Sequence, residues 1–511
     1  MKLSKYIHKI QFGLLLLLVG LVSCDKGFDD LNINKTAATA INPVFTLNNA
    51  TINTAPVFST IVYETSIVQQ MVTPNSGVLT GANFNQDSRD NTQQMWQRYY
   101  RNVIRNTQDV LDQSKTLTTR TNLIQMARIL QAHAFMVLTD TYGDVPYTDA
   151  AKGFTDQLFL PKYDAQQTIY AGIIKELTEA SAALDATKTV ETADVLYGGD
   201  VAKWKKFANS LLLRAGMRLS KVDATQAQSV VSKAAAAGVI ELNADNAMIR
   251  HDANYTNPNG NVLNATEAAN LYMATPFVEY LKSTKDPRLK AIGVRYVGAK
   301  SGAEQTAAKA STDTTLFIGM PMGYDNNTIA TQVTKFGLAS FYDFTQVDRT
   351  RMGKNTAPTF LVTASQTQLL LAEAAQKGWV TSTTAAAAYA KGVRLHMEQL
   401  ASFDANSAVS AAQIDAYLTA NPFDAAKALE QINTQYWVAS FLNGPEAWAN
   451  FRRSGFPVLT PNPFPGKAIK GTFIRRLTYP NSEISVNKTN VNAAIARQGA
   501  DDLDTKVWWD K

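Results

Sequence analysis

Long segments with apolar residues at helical spacing dominate this chain, and they restrict it to architectures that stack helices. Asn91 to Ser114 places Met95, Tyr99, Ile104 and Leu111 near one stripe. Asn122 to Tyr142 places Leu123, Ala127, Leu130, Ala134, Leu138 and Tyr142 along another. A third segment begins at Asp164, with Ile169, Ile173, Leu177 and Leu184, and a fourth runs from Lys203 to Leu219, with Trp204, Phe207 and Leu211. Further helices are predicted over Thr363–Lys377, Thr383–Leu400 and Ala425–Ala449. Spacings of three and four put such residues on one helix face. The starts are uneven, and the roughly 34-residue consensus of a tetratricopeptide repeat is absent. The expected fold is mainly α, a degenerate tetratricopeptide-like helical-repeat scaffold with long irregular loop insertions.

The core must hold this scaffold without covalent help, because Cys24 is the only cysteine in 511 residues. Its position has a reason. Lys2, Lys5 and Lys9 precede an apolar run from Ile10 to Val22, too short to span a bilayer, which needs about 20 residues. "LVSC" then ends at Cys24 and resembles a bacterial lipobox, which implies cleavage before Cys24 and its acylation. The alternative is an ordinary secretory signal with Cys24 incidental. Several acyl chains on one residue would hold a protein to membrane lipid far more firmly than one. Residues 1–23 are therefore expected to be a signal peptide, 24–43 a polar linker, and 44–511 a single domain. "DLNIN" in the linker lacks the glycine and distal glutamate of a calcium loop and reads as a turn.

Removing residues 1–23 takes away three lysines and no acid, which lowers the formal net charge from +6 to +3. No dense Lys/Arg run remains, so nucleic acid is not an expected partner. No HExxH, CxxC, P-loop, GxGxxG or GxSxG motif occurs, and His133, His251 and His396 are scattered, so no cofactor or metal is expected. The stretch from about 240 to 360 is rich in Gly, Asn, Thr and Pro and shows little helical period apart from Asn270–Ser283. Long loops carried on a rigid scaffold are where binding residues concentrate.

Four stretches together carry a resemblance. They are "ILQAHAFMVLTDTYGDVPYTDA" (Ile129–Ala150), "LLLAEAAQKGWV" (Leu369–Val380), "GPEAWANFRRSGFP" (Gly444–Pro457) and "RRLTYPNSEISVNKTNVNAAI" (Arg475–Ile495). In this order, behind a lipobox, they resemble the SusD/RagB family of outer-membrane nutrient-binding lipoproteins, over nearly the whole mature chain. The resemblance implies a lipid-anchored protein on the cell surface, without enzymatic activity. It implies capture of glycans or oligopeptides and their delivery to a SusC-like TonB-dependent transporter. An envelope glycoside hydrolase on a helical scaffold, or a helical-repeat scaffold that binds no small ligand, are the alternatives.

Within "TDTYGDVPYTD", Gly143 reads as the residue that ends a helix, which puts Asp140 in the last turn. An acid there opposes the helix dipole and calls for a cation, with Arg452 or Arg453 expected. Asp140, Asp144 and Asp149 then read as a structural turn rather than an acid/base pair. Trp448, Tyr479 and the neighbouring arginines are likewise read as architecture. A sugar offers an apolar C–H face to an aromatic ring and hydroxyls to amides and charges. Segments that mix both supply the candidates: Phe84, Asn85, Gln86, Arg89 and Trp96; Asn254, Tyr255 and Asn257; Tyr324, Asp325 and Asn326. At least one of Trp96, Tyr255 and Tyr324 is expected to touch ligand.

Overall fold

The apolar stripes bury one another in pairs. In a computed structural model, which describes residues 41–56, 58–74, 82–113, 116–264 and 271–511, the chain opens with helices α1 (Pro43–Asn53) and α2 (Phe58–Ile67). Next come α3 (Arg89–Arg98) and α4 (Arg105–Asp112), joined through a π-helical stretch at Tyr99–Ile104. Helix α5 (Thr121–Tyr142) pairs with α6 (Gln166–Ala183), α6 packs on α7 (Val201–Arg218), and α7 pairs with α8 (Ala224–Ala237). After α9 (Thr275–Ser283), α10 (Ala364–Gln376) pairs with α11 (Ala385–Gln399) and lies against α12 (Ala428–Ala439). Helix α13 (Gly444–Ser454) returns to α2 and α5, and α14 (Lys488–Gln498) lies near the end of the chain. This is the mainly α, tetratricopeptide-like scaffold expected. Pro43–Lys511 forms one unit. Residues 1–23, Cys24 and the linker up to residue 40 lie outside the described residues.

Local chemistry sets the helix ends. Thr363 and Gln366 form a capping box on α10, each side chain bonding the other's backbone amide. The single helix expected over Ala425–Ala449 is two. Leu442 takes φ +66°, and Asn443 caps α13, whose second residue is Pro445. Helix α8 escaped the periodic reading because its alanine-rich sequence gives little contrast between faces. Its ends are nevertheless marked, by Asp223 accepting from the Gln226 amide and by Gly238 at φ +92°.

The middle region is less irregular than its composition suggests. It supplies most of the short strands β1 (Met71–Val72), β2 (Ala247–Ile249), β3 (Tyr272–Met273), β4 (Gly293–Tyr296), β5 (Ala310–Ser311), β6 (Gln346–Val347) and β7 (Thr359–Val362). They form an antiparallel sheet in the order β1-β3-β6-β4-β5, with Tyr272 facing both Val72 and Gln346, and a separate β2-β7 pair. Strands of two to four residues are too short for alternation to show in a sequence.

Buried ions join the helices. Arg218, fully buried on α7, bonds Asp140 on α5 at 3.2 Å and Glu446 on α13 at 2.7 Å. Arg214 reaches Glu446 at 3.3 Å. Asp140 also accepts from the Tyr170 hydroxyl at 2.5 Å and the Trp509 indole at 2.8 Å. The expectation of Arg452 or Arg453 as its partner is corrected. Arg452 donates to the Asp140 backbone carbonyl at 2.6 Å and lies 3.7 Å over Trp448, while Arg453 pairs with Glu373 at 2.7 Å. Sequence distance hid the α5–α7 contact. Gly143 does end α5, at φ +79°, a left-handed conformation that favours glycine. Asp144 is spent on the Gln166 amide (2.8 Å) and Arg497 (2.6 Å).

Removing one partner of a buried pair leaves the other charged group unpaired, at about 3–5 kcal/mol. Arg218→Met, which leaves Asp140 without its paired cation and Glu446 with Arg214 alone, is expected to lower unfolding stability by about that much in urea denaturation. His133 provides a second test. Burial, then the nearby Arg214 guanidinium, push its pKa down to about 3. The folded protein therefore keeps this imidazole neutral while the unfolded chain protonates it near 6.5. Stability is complete above pH 6.5 and is lost as pH falls toward 3. His133→Gln should flatten the fall in stability between pH 6.5 and 5 by up to about 1.4 kcal/mol per pH unit, measured by chemical denaturation at each pH.

Candidate functional site

Three loop segments converge on one buried amide. Asn83, 1% exposed, donates from Nδ2 to the Tyr324 carbonyl at 2.8 Å and accepts at Oδ1 from the Gly323 amide at 2.8 Å. Its own carbonyl accepts from Asn462 Nδ2 at 2.6 Å. Gln86 Nε2 donates to the Gly466 carbonyl at 3.0 Å, and the Ala468 amide donates to the Asn85 carbonyl at 3.0 Å. Residues 82–86, 320–325 and 460–468 are thus tied into a single unit. Phe84 stacks on Phe464 at 4.0 Å with planes 14° apart. Gly323 permits the crossing: φ is +85°, and a Cβ would stand 2.8 Å from Asn462 Oδ1. The half-buried Tyr324 accepts at its hydroxyl from Gln332 at 2.8 Å. Asp325 accepts from the Thr328 amide at 2.7 Å and hydroxyl at 2.8 Å and from the Asn327 amide at 3.0 Å. Those bonds, the Thr328 amide first, hold its carboxyl below the usual range.

Of the residues singled out from sequence, Phe84, Tyr324 and Asp325 are brought together here, with Asn85 and Gln86. Trp96 and Arg89 lie elsewhere. Trp96 sits in α3, within the helical segment expected from Asn91 to Ser114, and not at a ligand-facing surface. It is 5% exposed, with its ring among Tyr100 (4.8 Å), Tyr142 (5.2 Å), Tyr163 (6.0 Å) and Tyr479 (6.0 Å). The helical period of the segment turns it inward. Arg89 binds Asp87 at 2.9 Å, Asp501 at 3.0 Å and the Tyr479 carbonyl at 3.0 Å, which pins the C-terminal segment to α3.

Tyr255 and Asn257 form a third group. Tyr255 stacks on His251 at 5.1 Å and donates to the Ile52 carbonyl at 3.3 Å. Asn257, 6% exposed, donates to the Ala357 carbonyl at 2.8 Å and accepts from the Asn259 amide at 2.9 Å. Its amide is consumed in shaping the loop. Sequence reading missed Asn83, Asn462 and Phe464. A buried asparagine that organises loops has no spacing signature, and its partners lie 240 and 379 residues away.

Among the described residues, no three His, Cys, Asp or Glu side chains converge as metal ligands. Trp448 is fully buried beneath Arg452, and Tyr479 donates to the Asp144 carbonyl at 2.7 Å, so both act as architecture.

Helical scaffolds of this kind are found in known proteins. A family model described as SusD-like, starch-binding associating with outer membrane, matches residues 34–480. The chain belongs to the SusD-like family. A solved chitin-binding protein is 29% identical, with a TM-score of 0.81 over 92% of this chain and 100% of its own. A Bacteroidetes SusD-like protein is 26% identical, with a TM-score of 0.80 over the same shares. A SusD homologue from Bacteroides uniformis is 25% identical, with a TM-score of 0.71 over 91% of this chain and 99% of its own. No curated protein matches the sequence. In this SusD-like chain, Asn83→Ala removes the side-chain bonds to the part-buried Gly323 amide and Tyr324 carbonyl, at about 0.5–1.5 kcal/mol each. Limited proteolysis should then cleave within 320–326 or 460–468 faster than in the unaltered protein, with the helical far-UV signal retained.

Proposed function

We propose that this SusD-like protein is a lipid-anchored cell-surface binder. It captures carbohydrate and passes it to a SusC-like TonB-dependent transporter. The observation that carries this reading is the loop knot built on Asn83. It holds the Phe84–Phe464 stack and Tyr324 in a fixed relation on a helical scaffold, so a ligand meets a preorganised surface. Membership of the family and the 29% likeness to a chitin-binding protein support carbohydrate as the ligand class.

The mechanism needs no bond making. The part-exposed rings of Tyr324 and Phe464 would meet the C–H side of a sugar, with the buried Phe84 backing Phe464, and polar groups at the rim would take its hydroxyls. Affinity stays modest, because the ligand must leave again into the transporter. Anchoring falls to Cys24, whose acyl chains would keep the protein beside its partner. The carboxylates singled out from the sequence do not suggest hydrolysis. Asp140 and Asp144 are buried in ion pairs, and Asp325 is held by Thr328 and Asn327.

Two measurements test the reading. Tyr324→Ala with Phe464→Ala should weaken binding of a retained oligosaccharide by about tenfold or more in calorimetry, a loss of about 1.4 kcal/mol. Unchanged affinity would place the site elsewhere, and release of shorter sugars by the purified protein would make it a hydrolase. Cys24→Ser should move the protein from the membrane fraction to the soluble fraction, and mass spectrometry of the unaltered protein should find Cys24 acylated.

A further inference from the structure

Between α5 and α6 the chain makes a long excursion, Gly143 to Ala165, that shelters a cavity of about 330 Å³. That is the lower end of the range for small-molecule sites. Its apolar walls include Trp96, Tyr100 and Phe159, and its polar groups include Arg101, Asp149 and Glu483. None belongs to the Asn83 knot. We propose that this cavity is a second binding site, for one ring of a neutral saccharide. The inference adds a site to the reading above and depends on it only for the ligand class.

Four observations support it. The walls are built. The Tyr100 hydroxyl donates to the Pro146 carbonyl at 2.7 Å, and Tyr163 donates to Glu483 at 2.7 Å, which fixes that carboxylate at the rim. Asp149 is held by the Lys162 amide at 3.3 Å. The helix beneath is distorted: the π-helical stretch Tyr99–Ile104 begins just after Trp96 and contains Tyr100 and Arg101. Such local unwinding is frequent at functional sites. The loop above is strained, since Ala151 (φ +59°) and Gln157 (φ +56°) both hold left-handed conformations without being glycine. Strain of this kind persists where the surroundings over-determine it, often at ligand clamps. Finally, Phe159 is 71% exposed at the cavity and Phe154 is 93% exposed on the same loop, so rings are available at the surface.

The mixture of groups selects the ligand. An apolar molecule would strip water from Asp149 and Glu483 and give nothing back. A sugar ring offers C–H faces to Tyr100 and Phe159 and hydroxyls that both donate to carboxylates and accept from Arg101. Two carboxylates against one guanidinium disfavour an acidic sugar.

The test is calorimetry of the full mature chain with chito-, malto- and cello-oligosaccharides and with an oligouronate. The exposed Phe159→Ala and the conservative Asp149→Asn are expected to keep the melting temperature. Each should remove one of two binding events, or weaken it about tenfold. Tyr324→Ala with Phe464→Ala should remove the other and leave this one. The oligouronate should bind this cavity more weakly than the neutral sugars. If the Phe159 and Asp149 variants titrate as the unaltered protein does while the Tyr324/Phe464 variant loses binding, the cavity is not a site and the main reading stands. If no form binds any saccharide, both fail. If Phe159→Ala loses a co-purifying membrane protein and keeps all saccharide binding, the face docks protein and the inference is wrong.

Discussion

Arg218 is the point on which the helical body turns. A guanidinium with no exposed surface must be matched by acceptors, and it finds them on two other helices: Asp140 from α5 and Glu446 from α13. Three helices distant in sequence are thereby given one relative placement, because any shift strands a charge in the interior. Arg453 with Glu373 repeats the arrangement between α13 and α10, and Arg288 with Asp286 and Gln435 repeats it beneath α12. Such pairs add little net stability over well-packed apolar groups. Their effect is on which packing is tolerated. In a chain with one cysteine among 511 residues, described helices held this way need no disulfide in the core.

That rigidity is what the loops require. The Asn83 knot joins segments that leave the scaffold at widely separated points, and its bonds close only if those points are held to within a fraction of an ångström. Hydrogen bonds of 2.6 to 2.8 Å, one donated and two accepted by a single buried asparagine, report that they are. The same logic governs the excursion between α5 and α6. Its end is tied to the C-terminal segment by Tyr163, which donates to Glu483. A binder that holds and releases its ligand gains from this, since affinity is not spent on ordering loops after contact.

Particular residues show where sequence reasoning reached and where it stopped. The stripes through Leu123, Leu130 and Leu138, or Ile169, Ile173 and Leu177, predicted their helices because burial of one face at a period of 3.6 leaves a record in the chain itself. Gly143 predicted the end of α5 for an equally local reason. Trp96, Tyr255 and Tyr324 were chosen together by composition, and the structure separates them into three places. A ring beside amides has the same composition whether it packs a loop or faces a ligand. Arg218 gave no warning as the partner of Asp140, since the pairing spans 78 residues and follows from how α5 and α7 meet.

The sequence by itself determined the helical class, the lack of a covalent staple, the export signal pattern ending at Cys24 and the resemblance to SusD-like proteins. All of these depend on residue spacing along the chain. Only the tertiary structure decided which arginine answers which acid, which loops Asn83 joins, and that Phe159 and Tyr100 border one cavity. Those relations depend on distances across the fold, where the contributions come from segments hundreds of residues apart and no local period records them.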